Sequence, residues 1–288
     1  MNSETAREVP SGPFAIIGAG RVGTAIGLLL QKAGYEIAAA SVRDPRSVPR
    51  AARDLGCPVF TDVVQAASTA GSLLIAVPDR EVERVCAELV AGDAAADRYI
   101  VHTAGALGIT PLLGAEQAGA SVLAIHPLQS IPTARIGVDR IPGSWFGVTC
   151  RDAHRGWAEK FVSDLGGRSL MIPEELRGAY HAVAVISSNF LVTLAGLSES
   201  IMGDAAPYLP LMKGTLDNLE DAGPARSLTG PIARGDEATV QMNLASLANI
   251  DGLAADSYRC MSMATVELAA RWGTLENAAV RGIKRALA

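Results

Sequence analysis

Apolar residues in this chain fall into short unbroken runs in the first half and long helical stretches in the second. Phe14–Ile17, Glu36–Val42, Ser72–Val77, Tyr99–His102, Ser121–Ile125 and Phe146–Cys150 are short and apolar with little polar alternation. Such runs predict strands covered on both faces. Pro58–Phe60 adds a shorter one. Thr24–Ala33, Val48–Leu55, Asp62–Ala67 and Arg80–Val90 lie between the runs and read as helices. Strand alternating with helix predicts an α/β Rossmann-type domain with a mostly parallel sheet. After Asp152 the texture changes. Arg155–Leu165 reads as a helix and Ser169–Ile172 as a last strand. Pro173 then opens a helical run from Glu174 to Met202 that is apolar nearly all round, as in a helix buried within a larger assembly. Tyr208–Ala222, Ala238–Leu247, Asp251–Arg271 and Leu275–Ala286 complete an all-α half, interrupted by an irregular loop at Ala225–Asp236. The pattern divides the chain into a flexible tail (1–12), an α/β domain (13–151) and a helical domain (152–288).

The junction of the first strand with the first helix carries the chemistry. Gly18, Gly20 and Gly23 have the G-x-G-x-x-G spacing of a dinucleotide pyrophosphate site, with Arg21 and Val22 inside it. Gly18 is expected to allow the turn, Gly20 to let the backbone approach phosphate, and Gly23 to let the helix pack close to the sheet. The helix N-terminus would present free N–H groups to the anion. At the end of the second strand an acidic residue would favour NAD, whereas a cationic one accommodates the extra phosphate of NADP. Ser41 and Arg43 stand there, so NADP is preferred over NAD. Arg21 and Arg46 would add positive charge, and Asp44 is the counter-indication. Ligands of open α/β sheets lie beyond the carboxyl ends of the strands. That places Val77, Pro78 and Thr103 beside the cofactor, and His126 and Gln129 near it.

Composition narrows the alternatives. The chain has 288 residues, 49% hydrophobic and 19% charged, with a net charge of −5. This fits a two-domain soluble enzyme and argues against a nucleic-acid or anionic-membrane surface. No run of eighteen apolar residues lacks a polar interruption, so no membrane span is expected. Four scattered cysteines suggest reduced thiols in a cytoplasm. The four histidines show no ligand spacing, so no metal site is expected. A G-x-S-x-G elbow is also lacking.

The motifs GAGRVG (18–23), AVPD (76–79), HTAG (102–105), HPLQS (126–130), YHAVAVISSNF (180–190) and LTGPIARGD (228–236) resemble the 6-phosphogluconate dehydrogenase-like superfamily. The similarity is strongest to a branch whose C-terminal domain is of unknown function. The resemblance covers nearly the whole chain after the tail. It implies a Rossmann domain followed by an all-helical domain, an NAD(P)-dependent reductase architecture and dimerisation through the helical half. Many members carry a lysine four residues before an asparagine on the long helix. Here Asn189 is present but Val185 takes the lysine's place, so acid catalysis must come from elsewhere or be absent.

Carbonyl reduction needs a hydride source, a proton donor and groups that orient the substrate. His181 and Ser188 share a helix face, and Asn189 lies about 80° round from His181. An unperturbed histidine titrates near 6.5, which suits His181 or His126 to proton donation; the alternative for each is a structural histidine. Asn189 has the alternative of tying two helices together. Arg234 would clamp a substrate carboxylate or pair with Asp236 to shape its loop. Three functions follow as expectations. The first is NADP-dependent reduction of a small, ketopantoate-like 2-oxo acid. The second is imine reduction, as in the related pyrroline-5-carboxylate reductases. The third is a non-catalytic NADP-binding redox sensor.

Overall fold

A computed structural model of the chain describes residues 12–288. The expected tail at 1–12 lies almost wholly outside the described residues. Two compact units divide the chain, at Ser188/Asn189.

The first unit is built on an eight-stranded sheet: β1 (Phe14–Ile17), β2 (Ile37–Ser41), β3 (Val59–Phe60), β4 (Ser72–Ile75), β5 (Tyr99–His102), β6 (Ser121–Pro127), β7 (Trp145–Cys150) and β8 (Arg168–Met171). Their order is β3-β2-β1-β4-β5-β6-β7-β8. All neighbours pair in parallel except β6 and β7. The helices of this unit are α1 (Arg21–Lys32), α2 (Val48–Leu55), α3 (Val63–Ala67), α4 (Val82–Ala91), α5 (Leu113–Gln117), α6 (Ala134–Arg140) and α7 (Arg155–Asp164).

Continuous apolar strands arise because both sheet faces are covered. On β1, Phe14 and Ile16 enter one core with residues of α1, α2 and α7, while Ala15 and Ile17 enter the opposite core with residues of α3 and α4. A period of two sends alternate side chains to opposite faces. The first core is reinforced by rings: Trp157 stacks on Tyr99 at 4.4 Å and on Phe161 at 5.2 Å. The glycine-rich motif starts α1 three residues earlier than the apolar pattern indicated, at Arg21. The short α5 and α6 do not stand out in the apolar pattern, being one or two turns long.

The texture change at 151/152 does not end the sheet. β8 adds to β7, and α7 packs under both. The next helix, α8 (Arg177–Met202), begins in the first unit and continues into the second. The second unit also contains α9 (Leu209–Ala222), α10 (Pro224–Ser227), α11 (Glu237–Ala248), α12 (Gly252–Trp272) and α13 (Asn277–Leu287). Val240, Leu244, Val266, Ala269 and Ile283 form the core between α11, α12 and α13. The expected irregular loop at 225–236 contains most of α10, a single turn.

Little of α8 is buried. Val183, Ile186, Phe190 and Val192 are each at least half exposed, as are Leu209, Leu211 and Leu216 in α9. The stretch Glu174–Met202 is also long and apolar enough to cross a membrane, with a mean hydropathy of 1.5. The polar interruptions that argued against a span therefore do not exclude one by composition.

Candidate active site

The turn after β1 has the geometry its glycines foretell. Gly18 has φ +99°, a region that L side chains rarely adopt, and a Cβ there would lie 2.8 Å from the Ala76 carbonyl oxygen. Its N–H and that of Ala19 both donate to Ser41 O, locking the turn to the end of β2. A Cβ on Gly23 would collide with Gly18 O and press on Ala76 and Ile16, so glycine is what lets α1 lie against the sheet. Gly20 is different: a Cβ there would meet nothing within 4 Å. It stands at the N-cap of α1, where no side chain caps the free N–H groups and no acid occupies the first turn. An open approach to uncapped amides at the positive end of a helix fits an anionic group such as pyrophosphate.

A cleft of about 330 Å³ extends from this turn. Gly18, Gly20, Ser41, Arg43, Val77 and Pro78 line it, together with Ser47 and Arg50. Arg43 is exposed at its edge and Ser41 is buried. Asp44 is committed locally: it accepts from the Arg46 backbone N–H at 3.0 Å and pairs with the Arg46 guanidinium at 2.8 Å. The hydrogen bonds from Arg46 hold its carboxyl below the usual range. Arg46 is therefore not the free positive charge the sequence suggested. Arg50, which the sequence reading missed, donates from Nη2 to Ala19 O at 2.8 Å and takes a place in the cleft. Arg21 is exposed on the first turn of α1, whereas Val22 turns into the core. Thr103 N–H donates to Ile75 O, which ties the start of the next loop to β4.

A second group of side chains lies at the carboxyl ends of β5 and β6. His102, fully buried, accepts from Ala104 N–H at Nδ1, 3.1 Å away. Its Nε2–H then donates to Gly108 O at 2.7 Å. Burial drives its pKa down to about 4, so the ring is a neutral staple of the 103–108 loop. Glu174, just before α8, accepts from Ile109 N–H at 2.8 Å and Thr110 N–H at 3.0 Å. Burial acts to raise its carboxyl, but these bonds and the Thr110 hydroxyl outweigh it and hold the carboxyl low.

Arg177, in the first turn of α8, is 1% exposed. Its guanidinium donates to three carbonyls: Leu107 O at 2.8 Å, Gly147 O at 3.1 Å and Ala104 O at 3.1 Å. One side chain thus fixes the loop after β5 and strand β7 to the start of α8. Tyr180 follows one turn later, its ring 5.4 Å from Arg177 Cζ and its hydroxyl 2.9 Å from His126 Nδ1. His181 approaches His126 edge to face, with ring centroids 5.9 Å apart. Gly105 lies under both rings, and a Cβ there would collide with His181. Burial, then the charge of Arg177, push His126 down to about 4. Burial raises the Tyr180 phenol, and Arg177 offsets part of that rise. Both groups are therefore uncharged at neutral pH.

The structure brings His126 and His181 together and adds Tyr180, which the sequence reading placed in a motif but gave no role. Ser188 is exposed at the end of the first unit. Asn189 opens the second unit, exposed, its carbonyl accepting from Thr193 Oγ1. Arg234 is also in the second unit, exposed on its loop. Asp236 does not form a described salt bridge with it but caps α11, accepting from Thr239 N–H at 3.0 Å. Among the described residues, no cluster of three or more metal-binding side chains occurs.

Comparison with known proteins places these two regions. Residues 5–127 match the Rossmann-like domain, and residues 144–265 match a domain of unknown function, DUF2520. The chain thus has a Rossmann-like domain followed by a DUF2520 domain, the pairing its motifs implied. Similar solved structures include protein TM1727 from Thermotoga maritima, 25% identical, covering 90% of this chain and 98% of that one with a TM-score of 0.68. A Bacteroides fragilis protein described as a candidate NADP oxidoreductase is 23% identical over 88% and 97% of the two chains, with a TM-score of 0.70. An imine reductase from Myxococcus stipitatus, solved with NADP+, is 15% identical over 93% and 98%, with a TM-score of 0.64. Among curated proteins no match is found.

Proposed function

We propose that this protein is an NADPH-dependent reductase of a small 2-oxo acid. One observation carries the reading. An open, uncapped helix N-terminus after β1 and a cluster of proton-bearing rings beside the end of β6 lie on the carboxyl side of one sheet, with β4 and β5 between those two strands. The amides of α1 would hold the pyrophosphate, and Ser41 with Arg43 the ribose phosphate that distinguishes NADP from NAD. The candidate NADP oxidoreductase and the imine reductase solved with NADP+ among the structural neighbours support the same cofactor. When bound, the nicotinamide supplies a hydride. His126 and His181 would orient the substrate and manage its proton. Arg234 is the proposed holder of the carboxylate. Ser188 and Asn189 are proposed to orient the substrate.

Imine reduction is the second reading. His126 and Tyr180 are uncharged at neutral pH, no lysine stands at position 185, and an imine can arrive already protonated. Resemblance to the imine reductase fold supports it. The full-length protein with NADPH, offered 2-oxo acids and cyclic imines in parallel, separates the two. Tight NADPH binding with no turnover of either panel would leave a redox sensor.

The reading extends to assembly and location. The exposed apolar flank of α8 and α9 supports self-association of the helical unit as a homodimer. Four free thiols support a reducing, cytoplasmic setting.

A further inference from the structure

We infer that Tyr180 delivers the proton in this site, with His126 as its relay, and that the buried charge of Arg177 selects a carbonyl over a protonated imine. The inference rests on the reductase reading and deepens it by naming both the donor and the class of reacting group.

The geometry separates Tyr180 from the histidines. With hydrogen on His126 Nδ1, the imidazole donates to the Tyr180 oxygen across 2.9 Å, which leaves the phenolic O–H free to donate to another group. His126 Nδ1 is then committed to Tyr180 and cannot donate to a second group. Its Nε2 lies toward Gly105 and His181, where it can accept a proton. A phenol that keeps its proton at neutral pH, beside a neutral imidazole, is a donor with its resupply in place.

Arg177 sets the sign of the local field. Its bonds all go to carbonyl oxygens, so no carboxylate within hydrogen-bond reach neutralises it. The other charged or titratable groups facing this cluster are His102 at the end of β5, His181 on α8, and the more distant carboxylates of Glu174 and Asp79. Glu174 is occupied by the 109–110 amides. A fixed cation in a poorly solvated site favours the reaction that develops negative charge and disfavours a substrate that brings positive charge. Reduction of a carbonyl does the former; a protonated imine does the latter.

The step balances. A hydride reaches the carbonyl carbon with both of its electrons, and the carbonyl π pair moves to oxygen. The Tyr180 O–H bond breaks and its proton goes to that oxygen, giving the alcohol and a tyrosinate. His126 Nδ1–H then passes its proton to the tyrosinate as Nε2 takes one from water. One hydride and one solvent proton are consumed per turnover.

The test uses the full-length protein and Tyr180→Phe. Turnover of 2-oxo acids should fall on the order of 10²–10⁴-fold, the usual worth of a positioned acid, with NADPH affinity unchanged. A second readout needs no turnover: nitrogen NMR of the histidines should show His126 as the Nδ1–H tautomer in the wild type and not in Tyr180→Phe. Arg177→Gln, with its folding checked by circular dichroism, should lower the ratio of carbonyl to imine turnover. Retained carbonyl turnover in Tyr180→Phe, or an Nε2–H tautomer in the wild type, would overturn the assignment. Imines turned over in preference to carbonyls would overturn it and replace the 2-oxo acid reading with imine reduction, whereas carbonyl turnover retained in Tyr180→Phe would overturn it and leave the 2-oxo acid reading intact. Turnover of neither would remove the reading itself, and the inference with it.

Discussion

At Gly20 the added Cβ would enter empty space, and the backbone angles, φ −84° and ψ −158°, suit any residue. A substitution there costs the fold little but fills the approach to the helix amides. Gly20→Val should therefore leave the melting temperature within a few degrees of wild type and weaken NADPH binding by roughly tenfold or more. Thermal denaturation alongside fluorescence titration checks both halves. Arg43 is the other single-residue test. Asp44 is tied to Arg46, whereas the Arg43 guanidinium is exposed at the cleft beside Ser41, the pair proposed to carry the phosphate preference. Arg43→Asp should shift the ratio of NADPH to NADH affinity toward NADH by roughly tenfold or more, since a charged hydrogen bond is worth about 1.5–3 kcal/mol. An unchanged ratio would mean that another group reads the ribose. The shape of the glycine turn and the place of Arg43 at the cleft were legible in the sequence because each depends on a few neighbouring residues. Arg177 was not legible. Its three acceptors are backbone carbonyls 30 to 73 positions away, and a carbonyl leaves no mark on a sequence.

Loops and helix ends form the next scale, where the 103–108 segment is held by one histidine and one arginine. His102 makes this segment sensitive to acid. Its folded pKa, about 4, lies below the ordinary 6.5, so the unfolded chain binds the extra proton first. Its contribution is complete above pH 6.5 and is lost as pH falls toward 4, amounting to at most about 3 kcal/mol. Urea unfolding at pH 7.5 and pH 5 should show this loss, and His102→Gln should shrink the difference, the remainder coming from His126, which is held near 4 as well. The strands of the sheet were readable because burial on both faces leaves them continuously apolar. The antiparallel turn into β7 was not, since strand direction depends on the connection and not on the run itself. The neighbourhood of His126 and His181 was half legible. Both rings were singled out, but their meeting depends on the absent side chain of Gly105.

For the molecule as a whole, the chief unbalanced quantity is apolar surface on the helical half. Val192 is 72% and Leu211 69% exposed. Exposed apolar side chains gathered on two helices in this way point to an interaction site. Sedimentation should show a dimer, and Val192→Glu should convert it toward monomer while the helical circular dichroism signal is kept. A wild-type monomer at micromolar concentration would remove the dimer proposal.

The path of α8 has a practical consequence for anyone dissecting the chain. The Rossmann-like match ends at residue 127, and a fragment cut there would look complete by family resemblance. It would lose β7 and β8, leaving β6 with a bare edge of unpaired amides and carbonyls. It would also lose Arg177, so the carbonyls of Ala104 and Leu107 would lose their donor. The first compact unit runs to Ser188 and therefore carries the opening turns of α8, exposed apolar side chains included. What family matching divides near residue 130 is, in hydrogen bonds, joined until the helix has already begun.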